Sequence, residues 1–90
     1  MNEVIVKSLT EADIKAKGIK SWPIWSCGMS EFHWEYELQE SCYLLEGEVI
    51  IETDAGKQIK IQSGDFVIFP KGLKCTWRVL RPVNKHYSFQ

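Results

Sequence analysis

The sequence has few of the residues that mark a disulfide-rich or zinc-knuckle protein. Its 90 residues include three cysteines, Cys27, Cys42 and Cys75, and no two of them have C-x-x-C spacing. An odd number of cysteines without that spacing disfavours both a disulfide framework and a structural zinc knuckle. We therefore expect all three thiols to be reduced, as is usual in a reducing compartment.

The sequence also lacks an excess of one charge and any long apolar run. The 11 Lys and Arg residues are balanced by 12 Asp and Glu residues, and the basic ones are scattered. Without a basic stripe, we expect no nucleic-acid partner. No apolar run approaches the ~20 residues of a membrane span, and the start does not resemble a signal peptide. We expect no membrane partner and a cytoplasmic location.

What the sequence does contain predicts one folded domain over residues 1–90. It is 44% hydrophobic and 26% charged, which is typical of a globular protein. A domain this small buries only roughly 60% of the surface of its unfolded chain, so we expect a homodimer to add burial. Residues 1–20 are predicted as an N-terminal arm with a short helix, which Thr10 caps and Gly18 ends. Residues 21–90 are predicted as a β-barrel.

From residue 22 onward the pattern predicts short strands joined by glycine-containing turns. In "FHWEYEL", residues 32–38, aromatic and apolar side chains alternate strictly with His33, Glu35 and Glu37. That polar face is solvated in a sandwich but lines the cavity of an open-mouthed barrel, and the periodicity leaves both possible. "WPIW", residues 22–25, indicates an edge strand or an extended arm that reaches a neighbouring subunit, because proline cannot donate to a central ladder. Six or more such strands predict an all-β sandwich or barrel.

The spacing of polar residues and glycines in the first half of the strand region forms a pattern. His33-x-Glu35 is followed after four residues by Glu40, and Glu40 after six residues by Gly47. This resembles the first part of the signature of the cupin superfamily, G-x5-H-x-H-x3,4-E-x6-G. The first glycine of that signature is displaced, since position 27 is a cysteine and the glycine falls at position 28.

The second half of the strand region carries a matching pattern in the expected order. Gly64 is followed after five residues by Pro70-Lys71-Gly72, and then after two residues by Cys75. This resembles the second part of the cupin signature, G-x5-P-x-G-x2-H-x3-N, with a thiol in place of the histidine and Val79 in place of the asparagine. Residues 20–90 look most like the small single-domain cupins of the ureidoglycine aminohydrolase type.

The resemblance implies an all-β double-stranded β-helix, or jelly-roll barrel, with a pocket inside one end. It also implies a divalent metal site, whose positions here hold His33, Glu35, Glu40 and Cys75. Such a donor set suits zinc or iron better than manganese, because thiolate is a soft ligand. Two carboxylates and a thiolate would place three negative charges together, so the pocket without a metal is an open alternative. The cofactor is therefore either none or a divalent metal.

Glu40 and Cys75 are the candidate catalytic residues, as an acid/base and a thiol respectively. If Glu40 faces the pocket, Cys42 does too, because residues two apart share a strand face. Cys75 and Trp77 share a face in the same way. The pattern therefore predicts a soft, aromatic and partly acidic pocket. The candidate ligand-binding residues are Glu35, Cys42, Trp77 and Trp34.

Several functions are compatible with these residues. The one we favour is the binding of a small polar molecule in the barrel mouth, without the standard cupin metal. The alternative is a metal-dependent cupin enzyme of the ureidoglycine aminohydrolase type, acting on a small nitrogenous or carboxylate substrate. A dimeric structural protein with a vestigial pocket is a third possibility. A Cys75 nucleophile with His33 as its base is a fourth.

Overall fold

The computed structural model describes residues 3–89, which form seven strands, one α-helix and a short 3₁₀ helix. The strands are β1 (Ile5–Ser8), β2 (Ile24–Cys27), β3 (Ser30–Glu35), β4 (Glu40–Thr53), β5 (Gln58–Gln62), β6 (Asp65–Phe69) and β7 (Lys74–Phe89). The α-helix α1 is Glu11–Lys17, and the 3₁₀ helix is Ile19–Ser21. The all-β prediction is confirmed.

Two long strands, β4 and β7, organise the sheet. The strand order is β1-β6-β4-β7-β2, and β3 and β5 pair with β7 and β4 off this path. The start of β4, residues 40–43, pairs with residues 86–89 of β7 and also with β6. Its end, residues 48–53, pairs with residues 75–81 of β7 and also with β5. Because both strands run through both halves of the sheet, their inward side chains meet in one core.

The middle of β4 is irregular at Gly47. The register between β4 and β7 shifts between Leu44 and Val49, on both sides of this glycine. Gly47 has φ +116°, and its backbone passes so close to β7 that a Cβ atom would lie 2.8 Å from a Val83 methyl carbon. Only glycine has both the conformational freedom and the small size for this position.

The inward side chains of the strands form one hydrophobic core. Its buried members are Tyr36, Cys42, Leu44, Val49, Ile51, Ile61, Val67, Phe69, Leu73, Cys75, Trp77, Val79 and Val83. A second, smaller cluster joins Ile14 of α1 and Ile19 to Phe66 of β6. The N-terminal segment therefore packs on the sheet through a cluster separate from the core.

Helix α1 forms where the sequence predicts it. The Thr10 side chain accepts a hydrogen bond from the Asp13 N–H at 3.1 Å, and the Asp13 carboxylate accepts one from the Thr10 N–H at 3.1 Å. The hydrogen bond from the Thr10 N–H, and after it the Thr10 hydroxyl, hold the pKa of the Asp13 carboxyl below its usual value. Gly18 ends the helix with φ 65°, the left-handed conformation that glycine favours. No helix within residues 3–89 is long and apolar enough to cross a membrane.

The structure differs from the sequence prediction at both ends of the chain. Strand β1 lies within the predicted arm and pairs with β6, a strand pairing that the sequence pattern does not predict. Its four residues are all exposed, so they carry no inward apolar pattern. At the other end, β7 runs without a break from Lys74 to Phe89, through Pro82, and is longer than the short strands predicted from the sequence. The edge-strand reading of "WPIW" is confirmed in part, since β2 lies at the end of the strand order, paired with β7 of the same chain.

Candidate functional site

A cavity of about 350 Å³ opens at one end of the core and is lined almost entirely by aromatic rings. We call it the aromatic cavity, and its lining residues are Trp25, Phe32, Trp34, Tyr36, Glu40, Trp77, Lys85, Tyr87 and Phe89. Strands β2, β3 and β7 supply six of the seven rings, and Tyr36 follows directly after β3. Its volume lies within the range of about 300–1,000 Å³ that is typical of small-molecule sites.

Trp77 is the central ring of the aromatic cavity. It stacks on Phe32 with ring centroids 5.9 Å apart, and the edge of Trp25 meets it at 5.9 Å. Its indole N–H donates a hydrogen bond to the Tyr36 hydroxyl at 3.1 Å. Burial, together with the nearby Glu40 carboxylate, raises the pKa of Tyr36 above its ordinary value, so this phenol stays protonated. The wall is therefore uncharged at these positions.

One ion pair provides the charged groups of the cavity wall. The Lys85 ammonium donates to the Glu40 carboxylate, and the two side chains are only 6% and 5% exposed. The same ammonium lies 4.7 Å from the Trp77 ring centroid and 5.0 Å from that of Trp25. Cation–π contacts of this kind stabilise a desolvated cation. Glu40 and the two rings thus surround Lys85 with favourable electrostatic partners.

The polar face of β3 lies outside the cavity, which corrects the expectation that Glu35 binds ligand. Trp34 lines the cavity, and its neighbour Glu35 points to the opposite side of the strand, as alternation requires. Glu35 is exposed and forms an ion pair with Lys74 at 3.7 Å. His33 is also exposed and contacts Asp54 at 3.2 Å. Of the two possibilities for this polar face, the structure therefore has the one in which it is exposed to solvent.

The two cysteines of the predicted pocket lie in the core and not on the cavity wall. Cys42 and Cys75 are fully buried, and neither is among the residues that line the cavity. Burial raises the pKa of Cys42 to about 12 and that of Cys75 to about 11. The expectation that Cys42 and Cys75 line the pocket is therefore wrong. A protonated, buried thiol is a poor nucleophile.

The four candidate metal ligands occupy three different environments. His33 and Glu35 are on the outer face, Cys75 is in the core, and Glu40 is held by the Lys85 ammonium. Within residues 3–89, no three His, Cys, Asp or Glu side chains are grouped so that they could hold a metal ion. The residues at the signature positions do not fit the divalent metal that the cupin resemblance implies.

The difference in burial among the three cysteines predicts a difference in reactivity. We expect maleimide to label the half-buried Cys27 at neutral pH much faster than Cys42 or Cys75. A pKa of about 11 in place of 9.0 leaves about a hundredfold less Cys75 thiolate, and burial slows its reaction further. Peptide mapping by mass spectrometry after timed labelling measures the three rates. Equal labelling of Cys75 and Cys27 in the folded protein would restore the nucleophile hypothesis.

Sequence reasoning missed six residues that line the cavity: Trp25, Phe32, Tyr36, Lys85, Tyr87 and Phe89. The sequence did contain a signal for three of them in the last strand. Val83, Lys85, Tyr87 and Phe89 are spaced two residues apart, so they share one face of that strand. A lysine between apolar residues on an inward face must bury its ammonium, and it therefore needs a carboxylate partner. That partner, Glu40, is 45 residues away in the sequence, so strand spacing alone does not identify it.

Comparison with known proteins agrees with the all-β architecture. Residues 14–87 match the family described as the EutQ-like cupin domain. A solved DUF861 family protein from Thermotoga maritima is 46% identical, with a TM-score of 0.97, over 98% of this chain and 100% of that one. No curated protein matches the chain.

Two more distant solved structures show the same fold. A putative ethanolamine utilization protein Q from Salmonella typhimurium LT2 is 21% identical, with a TM-score of 0.67, over 96% of this chain and 68% of that one. The EutQ protein of Clostridium difficile is 22% identical, with a TM-score of 0.68, over 98% of this chain and 68% of that one.

Proposed function

The chain belongs to the EutQ-like cupin family, and we propose that it binds a small molecule in the aromatic cavity without a metal ion. The size of the cavity and its aromatic lining support a binding role. Large rings on several strands offer much apolar area to a ligand, and one ion pair offers polar contacts. Of the residues predicted for the site, Glu40, Trp34 and Trp77 line this cavity.

The observation that carries the metal-free part of the proposal is the contact between Lys85 and Glu40. At the glutamate of the cupin signature, the positive charge comes from a lysine side chain of the same chain. A metal ion at that carboxylate would have to displace the ammonium and would then lie beside a buried like charge. Such a displacement is unfavourable in a site of low polarity.

The alternative of a metal-dependent enzyme of the ureidoglycine aminohydrolase type has less support. It requires His33, Glu35, Glu40 and Cys75 to converge on one ion, whereas two of these side chains are exposed on the outer face. An acid/base role for Glu40 remains compatible with its position on the cavity wall.

A cytoplasmic homodimer is also part of the proposal. The large apolar side chains of Ile5, Ile24 and Leu38 are exposed, and none of the three lies on the cavity wall. A second copy that covered them would supply burial that a 90-residue domain otherwise lacks.

Indole is a suitable first probe of the aromatic cavity, because it is flat, neutral and mostly apolar. We expect it to shift the NMR signals of Trp25, Trp77 and Lys85, with the same affinity in the presence of EDTA. Replacing Trp34 with alanine removes a ring from the rim and should weaken binding about tenfold. Titration followed by two-dimensional NMR measures both effects.

Leu80→Ala provides the matched control, because Leu80 is a large exposed side chain of β7 that does not line the cavity. Its affinity for indole should equal that of the wild type. Indole shifts that are scattered over the surface, or absent, would contradict the binding proposal. A loss of binding in EDTA that zinc, iron or manganese restores would contradict its metal-free part.

A further inference from the structure

Glu40 and Lys85 are the only charged residues among the nine that line the aromatic cavity, and they cancel each other. From this we infer that the cavity selects uncharged, flat ligands that carry a hydrogen-bond acceptor and a donor side by side, as a carboxamide does. This inference rests on the proposed binding function and names the chemical class of its ligand.

The walls favour a flat ring. Phe32 and Trp77 are nearly parallel, with 13° between their planes, and the edge of Trp25 meets Trp77 at 74°. Trp34 is 47% exposed at the rim, so part of its ring remains available to an entering molecule. Aromatic rings attract other rings in offset-stacked or edge-to-face arrangements. A flat unsaturated ligand can make such contacts, whereas a branched aliphatic one fits them less well.

The buried pair presents a donor and an acceptor next to each other. An ammonium group has three N–H donors and no acceptor, and an ionised carboxylate accepts only. Lys85 can keep its bond to Glu40 and still donate to a ligand carbonyl oxygen. Glu40 has two oxygens and can accept a ligand N–H in addition to the ammonium. A primary carboxamide carries both complementary groups on one carbon atom, so a single end group can pair with both side chains.

Charged molecules of the same shape should bind less tightly than a neutral carboxamide. A ligand carboxylate would be attracted by Lys85 but repelled by Glu40, and it would leave a net negative charge in the cavity. A ligand cation would be attracted by Glu40 but repelled by Lys85. Each would bring one uncompensated charge into a site where the two protein side chains are about 95% buried. Burying an unpaired charge is costly, whereas a neutral amide adds none.

Three probes of the same shape test this selection: benzamide, benzoate and benzamidine. They share one ring and differ in a neutral, negative or positive end group at pH 7. We expect the wild-type protein to bind benzamide at least about tenfold more tightly than either charged probe. Titrations followed by NMR signals of the cavity side chains measure the three dissociation constants.

Two variants should reverse the preference. Glu40→Gln leaves Lys85 without its negative partner, so the benzoate affinity should rise above that of benzamide. Lys85→Met leaves Glu40 alone, so benzamidine should become the preferred probe. If Lys85→Met does not fold, Glu40→Gln tests the same prediction. Leu80→Ala should keep the wild-type order, because it lies outside the cavity.

The outcomes separate this inference from the proposed function. If the wild type binds indole but binds all three benzene probes equally, or none of them, the inference is overturned and the binding function stands. If Glu40→Gln keeps the wild-type order, the pair does not control selection and the inference is also overturned. If neither indole nor the three probes bind in the cavity, both proposals fail.

Discussion

Replacing Lys85 with methionine is expected to lower the free energy of unfolding by about 3–5 kcal/mol. Methionine has a similar length but no charge, so the Glu40 carboxylate would stay buried without its ammonium partner. The cation–π contacts with Trp25 and Trp77 would be lost as well. Urea unfolding followed by circular dichroism measures the change, since it does not depend on the tryptophans near the substitution.

Lys74→Met makes the same chemical change on the outer face of the same strand. Lys74 is exposed and pairs with an exposed glutamate at 3.7 Å, so its replacement should change stability by less than about 0.5 kcal/mol. A double variant, Glu40→Leu with Lys85→Met, should be more stable than Lys85→Met alone, because no unpaired charge remains buried. Equal effects of Lys85→Met and Lys74→Met would show that the buried pair contributes little.

Replacing Gly47 with alanine is expected to lower the free energy of unfolding by about 2–4 kcal/mol. The new Cβ would lie 2.8 Å from a Val83 methyl carbon, and 2.9 Å from both the Pro82 carbonyl oxygen and the Val83 Cα. Two of these three atoms belong to the backbone of β7, which cannot move without disturbing the pairing of the long strands. The φ of +116° adds strain for any residue with a Cβ.

Gly56→Ala separates the two causes in the same denaturation experiment. Gly56 has φ +90°, but a Cβ built there would meet no atom within 4 Å. Its replacement should therefore cost only the conformational part, about 1 kcal/mol. If both variants lost the same amount, the close approach of β4 to β7 would not be the reason for a glycine at position 47.

The fold was predictable because its signals are local in the sequence. Thr10 and Gly18 mark the ends of α1 through cap chemistry, and the alternation of residues 32–36 marks the inward face of β3. The paired glycine and proline spacings indicated the cupin resemblance. Strand β1 escaped prediction although Val4, Ile5 and Val6 are β-branched, because so short an apolar run without polar–apolar alternation does not by itself identify a strand.

The candidate site was predictable only in part, because its chemistry joins distant residues. The alternation of side chains between the two faces of a strand correctly places Trp34 and Trp77 on inward faces. It does not tell whether an inward residue lies in the core or on the cavity wall. Cys75 shares its face with Trp77, yet only Trp77 reaches the cavity. The pairing of Glu40 with Lys85 depends on the register between β4 and β7, which aligns Leu44 with Lys85. The sequence of either strand alone does not determine how two strands that are far apart in the chain align with each other.

The position of β7 in the chain has a consequence for how the protein folds as it is synthesised. β7 pairs with β2, β3 and β4, and it follows all three of them in the sequence. Before the ribosome has added Lys74 and the residues after it, these strands lack their partner on the edge that β7 later occupies. The aromatic residues of β2 and β3 then have no Trp77 to pack against. The core is completed only after β7 has left the exit tunnel, so its formation follows synthesis of the whole barrel. Until then, the aromatic side chains of β2 and β3 that later line the cavity stay exposed to solvent, a condition that favours aggregation.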